Sequence, residues 1–463
     1  MSFSLPDSIR EELLRLSFAS TGYSSPNPPV ACVLEDANTG EILSSASTRI
    51  YGGNHAEREA YRILREKFPT GKLPDHNAYV TLEPCSHYGK TPPCIDLFIE
   101  EKPKRLEYGW KDPNPLVSEN SGLSKLSSLG IEVVQNPALA EISSHFLFGF
   151  KTRVEKKRPA FLLKSSLSKE GHFSSGSGQR EKISSAESDF FLTMLRAKVD
   201  AILVGPKTVQ VDEPGLDFRI SEKFPQDLES LRSDWKKIKS NLSKSTPMRT
   251  GPSESGNSEV GFSKLRDRKN PAEQSPFFGF SGFLQELLKY SNDKELFRLH
   301  FENQKDYQPI RVFFMPEEDL VPSSFLKKQE EINSGISKKS CAFFLDEKKK
   351  YSNDFLNKLR ELSDSKVVSI SFSDSISVSD LGKNVLKILG EWGMNLALIE
   401  GGNFLYKTFS SLVSEEDAIL QIRSGTVSIP KGILPEWKGE FSMDWTVDIG
   451  LDHWEVWRSC SQD

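Results

Sequence analysis

Two cysteines, Cys85 and Cys94, stand nine positions apart in the run Thr81-Leu82-Glu83-Pro84-Cys85-Ser86-His87-Tyr88-Gly89-Lys90-Thr91-Pro92-Pro93-Cys94, and Asn54-His55-Ala56-Glu57 lies upstream. Two thiolates and one imidazole fill three corners of a zinc tetrahedron and leave the fourth for water. A fold that satisfies this set must bring residues 55, 85 and 94 to one point. Glu57, two positions past His55, is placed to move the water's protons without binding the metal. That is the logic of a zinc-dependent deaminase, in which an activated water attacks an amine-bearing ring carbon.

The flanking pattern supplies elements to carry these residues. Residues 8–20 have a helical period, with Ile9, Leu13 and Leu16 on one face and Asp7 as the expected N-cap. Val30–Leu34 and Glu41–Thr48 predict a hairpin across the turn Asp36–Gly40. A helix is expected over Asn54–Lys67, with His55 and Glu57 in its first turn. A strand over Asn77–Leu82 runs straight into Glu83-Pro84-Cys85, and Pro92-Pro93 opens a second helix near Cys94. Further strands are expected at Arg105–Gly109 and Ile131–Val134, with a helix at Leu123–Leu129. This alternation predicts an α/β sandwich with a largely parallel sheet. Both motif halves then fall at helix N-termini, where partial positive charge stabilises thiolates and a carboxylate.

At 463 residues the chain calls for more than one core. A net charge of −5 argues against a broad nucleic-acid footprint. No run approaches about 18 apolar residues, so no membrane span is expected, and residues 1–7 lack the pattern of a signal peptide. Five scattered cysteines form no disulfide framework and suit a reducing cytoplasm. Cys32, Cys341 and Cys460 read as buried, inert positions.

After a basic junction at about Lys151–Arg158, a second α/β pattern begins at Pro159. Ala160–Lys164 and Asp200–Gly205 read as strands and Ser185–Ala197 as a helix. Core texture resumes at Ile310–Phe314, followed by Val367–Ile370, a helix at Leu381–Trp392 and a strand at Leu396–Ile399 that ends in Glu400-Gly401-Gly402. Between the two parts, residues 221–310 are rich in Ser, Lys, Glu, Asn and Pro. They read as a low-complexity insertion, loosest over Ser240–Ser275, with one or two amphipathic helices within Phe280–Phe301.

The eight-residue spacer between Cys85 and Cys94 departs from the Pro-Cys-x-x-Cys of nucleoside and tRNA deaminases. Together with Pro26-Asn27-Pro28-Pro29-Val30-Ala31-Cys32-Val33, His55-Ala56-Glu57 and Asp112-Pro113-Asn114-Pro115, it closely resembles the bifunctional riboflavin-biosynthesis deaminase–reductases. The resemblance implies a cytidine-deaminase-like α/β/α sandwich over residues 1–150 and a dihydrofolate-reductase-like α/β domain over 159–463. It implies zinc (Zn2+) on His55, Cys85 and Cys94, Glu57 as proton shuttle, and Asn27, His87 and Lys90 on a phosphoribosylaminopyrimidine. The implied reaction replaces an amine of the diaminopyrimidinone to give a uracil; NADPH then reduces the ribosyl chain to ribityl. Ala31 stands where the family usually has glycine.

In the second half the resemblance covers 159–219 and 396–412. It implies that Thr208, Asp212, Gly401 and Gly402 face NADPH, and that Lys164, Arg196, Leu216, Arg219 and Glu400 face the substrate. Guanidinium forks suit a phosphate and glycines admit a pyrophosphate. The family's Ser-Leu-Asp-Gly reads Ser168-Lys169-Glu170-Gly171 here. Its Ser-x-Trp-Ile-Thr-Ser reads Arg180-Glu181-Lys182-Ile183-Ser184-Ser185, and its Pro-Lys-Leu-Leu-Gly is replaced by Gln421-Ile422-Arg423-Ser424-Gly425. These departures keep open a second reading, a deaminase with a degenerate reductase-like domain. A third, a nucleic-acid-editing deaminase, is opposed by the charge balance and the spacer. The expected partner is a small-molecule substrate rather than nucleic acid or membrane, with homo-oligomerisation left open.

Overall fold

The computed structural model describes residues 5–118, 122–216, 278–291, 308–334, 340–372 and 378–460. Two sheets organise them. The first has five strands: β1 (Ala31–Asp36), β2 (Ile42–Ser47), β3 (His76–Leu82), β4 (Arg105–Trp110) and β5 (Glu132–Gln135), in the order β2-β1-β3-β4-β5. β1 runs antiparallel to β2 and β3, whereas β3, β4 and β5 are parallel. The parallel character expected for this sheet therefore holds for three of its five strands. β1 and β3 are buried along nearly their whole length, which is why they read as continuous apolar runs rather than alternating ones.

The second sheet has nine strands: β6 (Ala160–Leu167), β7 (Ala201–Val204), β8 (Ile310–Met315), β9 (Cys341–Asp346), β10 (Ser365–Ile370), β11 (Leu396–Glu400), β12 (Ala418–Ser424), β13 (Phe441–Ile449) and β14 (Asp452–Ser459). Their order is β10-β9-β8-β7-β11-β6-β12-β14-β13. Seven are parallel, and the antiparallel pair β14-β13 extends the sheet past β12. β6, β7 and β11 lie side by side at its centre, so residues leaving their C-terminal ends share one crevice. Open parallel sheets bind ligands in such a crevice.

Helices α1 (Asp7–Ser20), α2 (Ala56–Lys67), α3 (Cys94–Glu101), α4 (Pro137–Phe146) and α5 (Phe148–Lys156) accompany the first sheet. Pro6, not Asp7, is the N-cap of α1, and Asp7 sits in its first turn as an acidic residue favourable to the helix dipole. α5 corrects the expected junction: the basic run is largely helical. Its charges are spent on distant partners. Arg153 donates to Asn395 Oδ1 at 2.7 Å and to the Pro26 carbonyl at 2.8 Å, Lys156 reaches Glu416 at 2.7 Å, and just beyond the helix Arg158 reaches Asp417 at 2.7 Å.

The second sheet carries α6 (Ala186–Arg196), α7 (Pro206–Asp212), α8 (Gly279–Tyr290), α9 (Val378–Glu391) and α10 (Asn403–Phe409) among its helices. α8 supplies an amphipathic helix expected within Phe280–Phe301, starting one residue earlier and ending at Tyr290. Phe280, Phe283, Leu284 and Leu287 are fully buried, with Phe283 packed against Phe18 and Phe146. Across the other side, Ser281 bonds to Asp444 and accepts from Trp445 Nε1 at 2.9 Å. One helix thus joins α1 and α4 to β13. Ser240–Ser275 lies outside the described residues. Among the described residues, no helix is long and apolar enough to cross a membrane.

Candidate active site

His55 precedes α2 as its N-cap rather than lying in its first turn, while Glu57 is in that turn. Cys85 follows the end of β3, and Cys94 is the first residue of α3, capped by Pro93. Three chain breaks therefore aim their side chains at one point. Each cysteine sulfur lies 3.6 Å from His55 Nδ1, and the three donor atoms fall within 4.8 Å of one another. The Cys94 N–H donates to Cys85 Sγ at 3.3 Å. Hydrogen bonding from the Cys94 thiol, then from His55, lowers Cys85 to about 4. The bond to Cys85 raises His55. Two cysteine sulfurs and an imidazole, gathered with no fourth protein ligand in the cluster among the described residues, are the donor set of an open zinc site; the residues fit the metal.

Glu57 is buried, and that burial raises its pKa above the usual carboxylate range. It lines a cavity of about 240 Å³ together with His55, Cys85, Asn27, His87 and Lys90. Six of the seven residues expected here open onto this one space, and the seventh, Cys94, completes the metal cluster. His87 Nδ1 is buried without a hydrogen-bond partner, a donor or acceptor left for a ligand. The cavity also contains residues to which the sequence reading gave no role. Glu83 accepts from the Asp112 N–H at 3.3 Å, and Asp112 accepts from the Asn114 N–H at 2.8 Å. Burial, reinforced by Glu83, pushes Asp112 up to about 6. The Asp112-Pro113-Asn114-Pro115 run was the available signal for these two. Tyr51 and Phe150 had none: the first sits in a turn, the second on α5 in the supposed junction.

In the second crevice, Glu400 and Lys164 are paired neighbours on β11 and β6. Glu400 accepts from Arg196 Nε at 2.9 Å and NH2 at 2.7 Å. Burial alone would raise Glu400, but Arg196 and Lys164 outweigh it and lower its pKa. Lys164, lowered by burial, donates to Ser166 Oγ at 2.9 Å. Thr208, on α7, faces the turn after β11: a Cβ built on Gly401 would lie 3.7 Å from Thr208 Oγ1, and one on Gly402 would meet open space. Asp212 ends α7, and burial raises it. The open space at Gly402, with Thr208 close by at an adjacent parallel strand end, fits the close approach of a dinucleotide.

Not every expected residue joins the crevice as a free group. Leu216 is buried in the core with φ +55°, and Arg219 lies outside the described residues. Lys182 pairs with Asp189 at 3.3 Å. Gln421–Ser424 forms the end of β12, and the following segment folds back: Glu170 accepts from Ser428 Oγ at 2.6 Å and from the Ile429 N–H at 2.7 Å. The departure at Glu170 is thus a latch on that segment. Cys460 is half-buried rather than buried.

Residues 8–110 match the family described as the cytidine and deoxycytidylate deaminase zinc-binding region, and residues 159–250 match the RibD C-terminal domain. The riboflavin biosynthesis protein RibD of Actinobacillus pleuropneumoniae is 36% identical over 213 residues, 45% of this chain and 53% of that protein. RibD of Escherichia coli K12 is 36% identical over 209 residues, 45% of this chain and 54% of its own length. The chain is similar to RibD proteins over nearly half its length. It spans about half the length of the curated RibD proteins it matches. The fold agrees: a Thermotoga maritima diaminohydroxyphosphoribosylaminopyrimidine deaminase/5-amino-6-(5-phosphoribosylamino)uracil reductase superposes with TM-score 0.65 at 23% identity, covering 98% of both chains. The architecture is a cytidine-deaminase-like domain followed by a RibD-type reductase domain, both mixed α/β.

Proposed function

We propose that this chain catalyses two steps of riboflavin biosynthesis. Residues 1–150 hydrolytically deaminate 2,5-diamino-6-(5-phosphoribosylamino)pyrimidin-4(3H)-one, and residues 159–463 reduce the ribosyl chain of the resulting uracil to ribityl with NADPH. The observation that carries this reading is the convergence of His55, Cys85 and Cys94 beside a buried Glu57, in a cavity whose rim bears Lys90.

His55, Cys85 and Cys94 would hold zinc, whose Lewis acidity would make a water nucleophilic near neutral pH. Glu57 accepts the proton that water gives up as its oxygen bonds to the amine-bearing ring carbon. It returns a proton to the departing nitrogen as the C–N bond breaks, so ammonia leaves and the ring gains oxygen. A carboxyl raised by burial is suited to both halves of that transfer. Asn27, His87 and Asp112 orient the base, and Lys90 meets the phosphate. In the second crevice Thr208 and the Gly401-Gly402 turn would hold NADPH, which would supply a hydride, while Lys164, with Arg196 and Glu400, meets the ribosyl chain. Five free cysteines support a reducing, cytoplasmic setting.

A second reading, deamination alone, draws on the Arg196–Glu400 pair, in which two residues expected on substrate satisfy each other. Offering the deaminated ribosyl phosphate with NADPH separates the two. Loss of absorbance at 340 nm supports the bifunctional reading; its absence, with ammonia still released from the diaminopyrimidine, leaves deamination alone.

A further inference from the structure

The cavity mouth carries an aromatic–cation pair in which Lys90 has an expected role and Tyr51 has none. Lys90 Nζ lies 3.8 Å from the centroid of the Tyr51 ring. Both residues line the cavity and both are exposed, Tyr51 by 49%. An exposed tyrosine beside a lysine is ordinary; the way these two are mounted is not.

Tyr51 stands in a turn closed by the Gly53 N–H donating to the Ile50 carbonyl at 2.8 Å, with a second bond from the Arg49 N–H to the Asn54 carbonyl at 3.0 Å. Gly52 has φ +96°, the conformation that the third position of a type II turn requires and glycine supplies without strain. The base of this turn is tied to α2 by Asn54 Nδ2 donating to Glu59 at 2.9 Å. Lys90 sits on the separate loop between the two cysteines. That loop is tied to the same helix, because Arg58 donates to the Pro92 and Pro93 carbonyls at 3.0 and 2.9 Å. A Cβ on Gly52 would lie 4.0 Å from Lys90 Nζ, so turn and loop are in close apposition. The ring is thus a fixed platform, and the ammonium that rests on it hangs from a flexible four-carbon stem.

We infer that Tyr51 is a positioning residue for the deaminase cavity: its ring holds the Lys90 ammonium at the mouth, where it selects substrates whose remote end carries a phosphate. The inference deepens the proposed function and rests on its reading of the cavity. A lysine alone would pair with a phosphate only after giving up its rotamer freedom. Stacked on a ring that α2 anchors, it has already lost that freedom, and the attraction of the ring face leaves its outer N–H groups turned to the ligand.

The test is a double-mutant cycle on the full, zinc-loaded chain, with ribose 5-phosphate as probe and uncharged ribose as control, read by calorimetric titration. Tyr51→Leu weakens ribose 5-phosphate binding by about two- to fivefold, the scale of an exposed cation–π contact. Tyr51→Phe, which keeps the ring, binds as the wild type does. In a Lys90→Met background, Tyr51→Leu costs nothing further, and ribose binding is insensitive to every substitution. With the diaminopyrimidine substrate, Tyr51→Leu raises KM and leaves kcat unchanged. Equal losses from Tyr51→Leu with and without the Lys90 charge would overturn the proposal, as would no loss at all or no binding of ribose 5-phosphate to the wild type. Failure of the deaminase reading looks different: ribose 5-phosphate binding keeps its dependence on Tyr51, yet no ammonia is released.

Discussion

Arg196 grips Glu400 with two parallel hydrogen bonds, 2.9 and 2.7 Å long, directly beside Lys164 on the neighbouring strand. The pair is mostly shielded from water, with side-chain exposures of 26% and 11%. Removing one partner of such a pair strands the other charge. Arg196→Ala should therefore lower stability by roughly 3 kcal/mol, read from denaturant midpoints, and abolish NADPH oxidation. Replacing both residues by Met and Leu should recover most of the stability and none of the reduction. Full recovery of reduction by the double variant would show the pair to be scaffolding only.

Glu57 separates proton transfer from metal binding. Glu57→Gln keeps the side chain's size but cannot shuttle a proton. It should retain one zinc per chain while ammonia release falls by about 10²- to 10⁴-fold. Metal analysis and an ammonia assay on the same preparation check this, and unchanged turnover would remove Glu57 from the chemistry.

Helix α8 should behave as part of the core. Phe283 is fully buried and touches Phe18, Phe146, Phe148 and Phe280. Phe283→Ala should cost about 3–5 kcal/mol and lower the melting temperatures of both halves together. Unfolding of one half alone at the old temperature would argue that α8 does not join them.

Why some of this was visible in the sequence and some was not follows from the kind of constraint. Zinc restricts residue type and spacing so tightly that Cys85, Cys94 and His55 could be singled out with no fold in hand. The central strands of both sheets are short apolar runs, so β1, β3, β4, β7 and β11 could be placed to within two residues at each end, while β6 runs three residues past the expected Lys164. The basic run at 151–158 resembled a linker because its hydrogen-bonding and ion-pair partners, Asn395, Glu416 and Asp417, lie more than two hundred positions away. The amphipathic period at Phe280–Phe301 was legible, but the partners of its aromatic face, Phe18 on α1 and Phe146 on α4, lie more than a hundred positions away and were not. Strands β13 and β14 mix polar and apolar positions at the sheet's end and gave no clear period. Tyr51 and Phe150 reach the cavity through tertiary structure alone.

Lys198 gives the fold a pH signature. Its side chain is fully buried and donates to the Phe18 and Ala19 carbonyls at the end of α1. Burial drives its pKa well below the ordinary lysine range. Above the folded-state pKa and below the unfolded value of about 10.4, the unfolded chain binds a proton that the native chain does not. Stability therefore rises with pH through that window. From neutral pH toward pH 10, the wild type should gain stability more steeply than Lys198→Met in parallel denaturant titrations. Equal slopes would mean that the amine is not desolvated.

The most direct test of the central claim is ammonia release from 2,5-diamino-6-(5-phosphoribosylamino)pyrimidin-4(3H)-one by the full chain, measured with zinc bound and after chelation. The account predicts steady release by the zinc-loaded protein, loss of release on chelation, recovery when zinc is returned, and neither metal nor release in Cys85→Ser. Release that persists undiminished in the metal-free protein, or full zinc occupancy in Cys85→Ser, would contradict it.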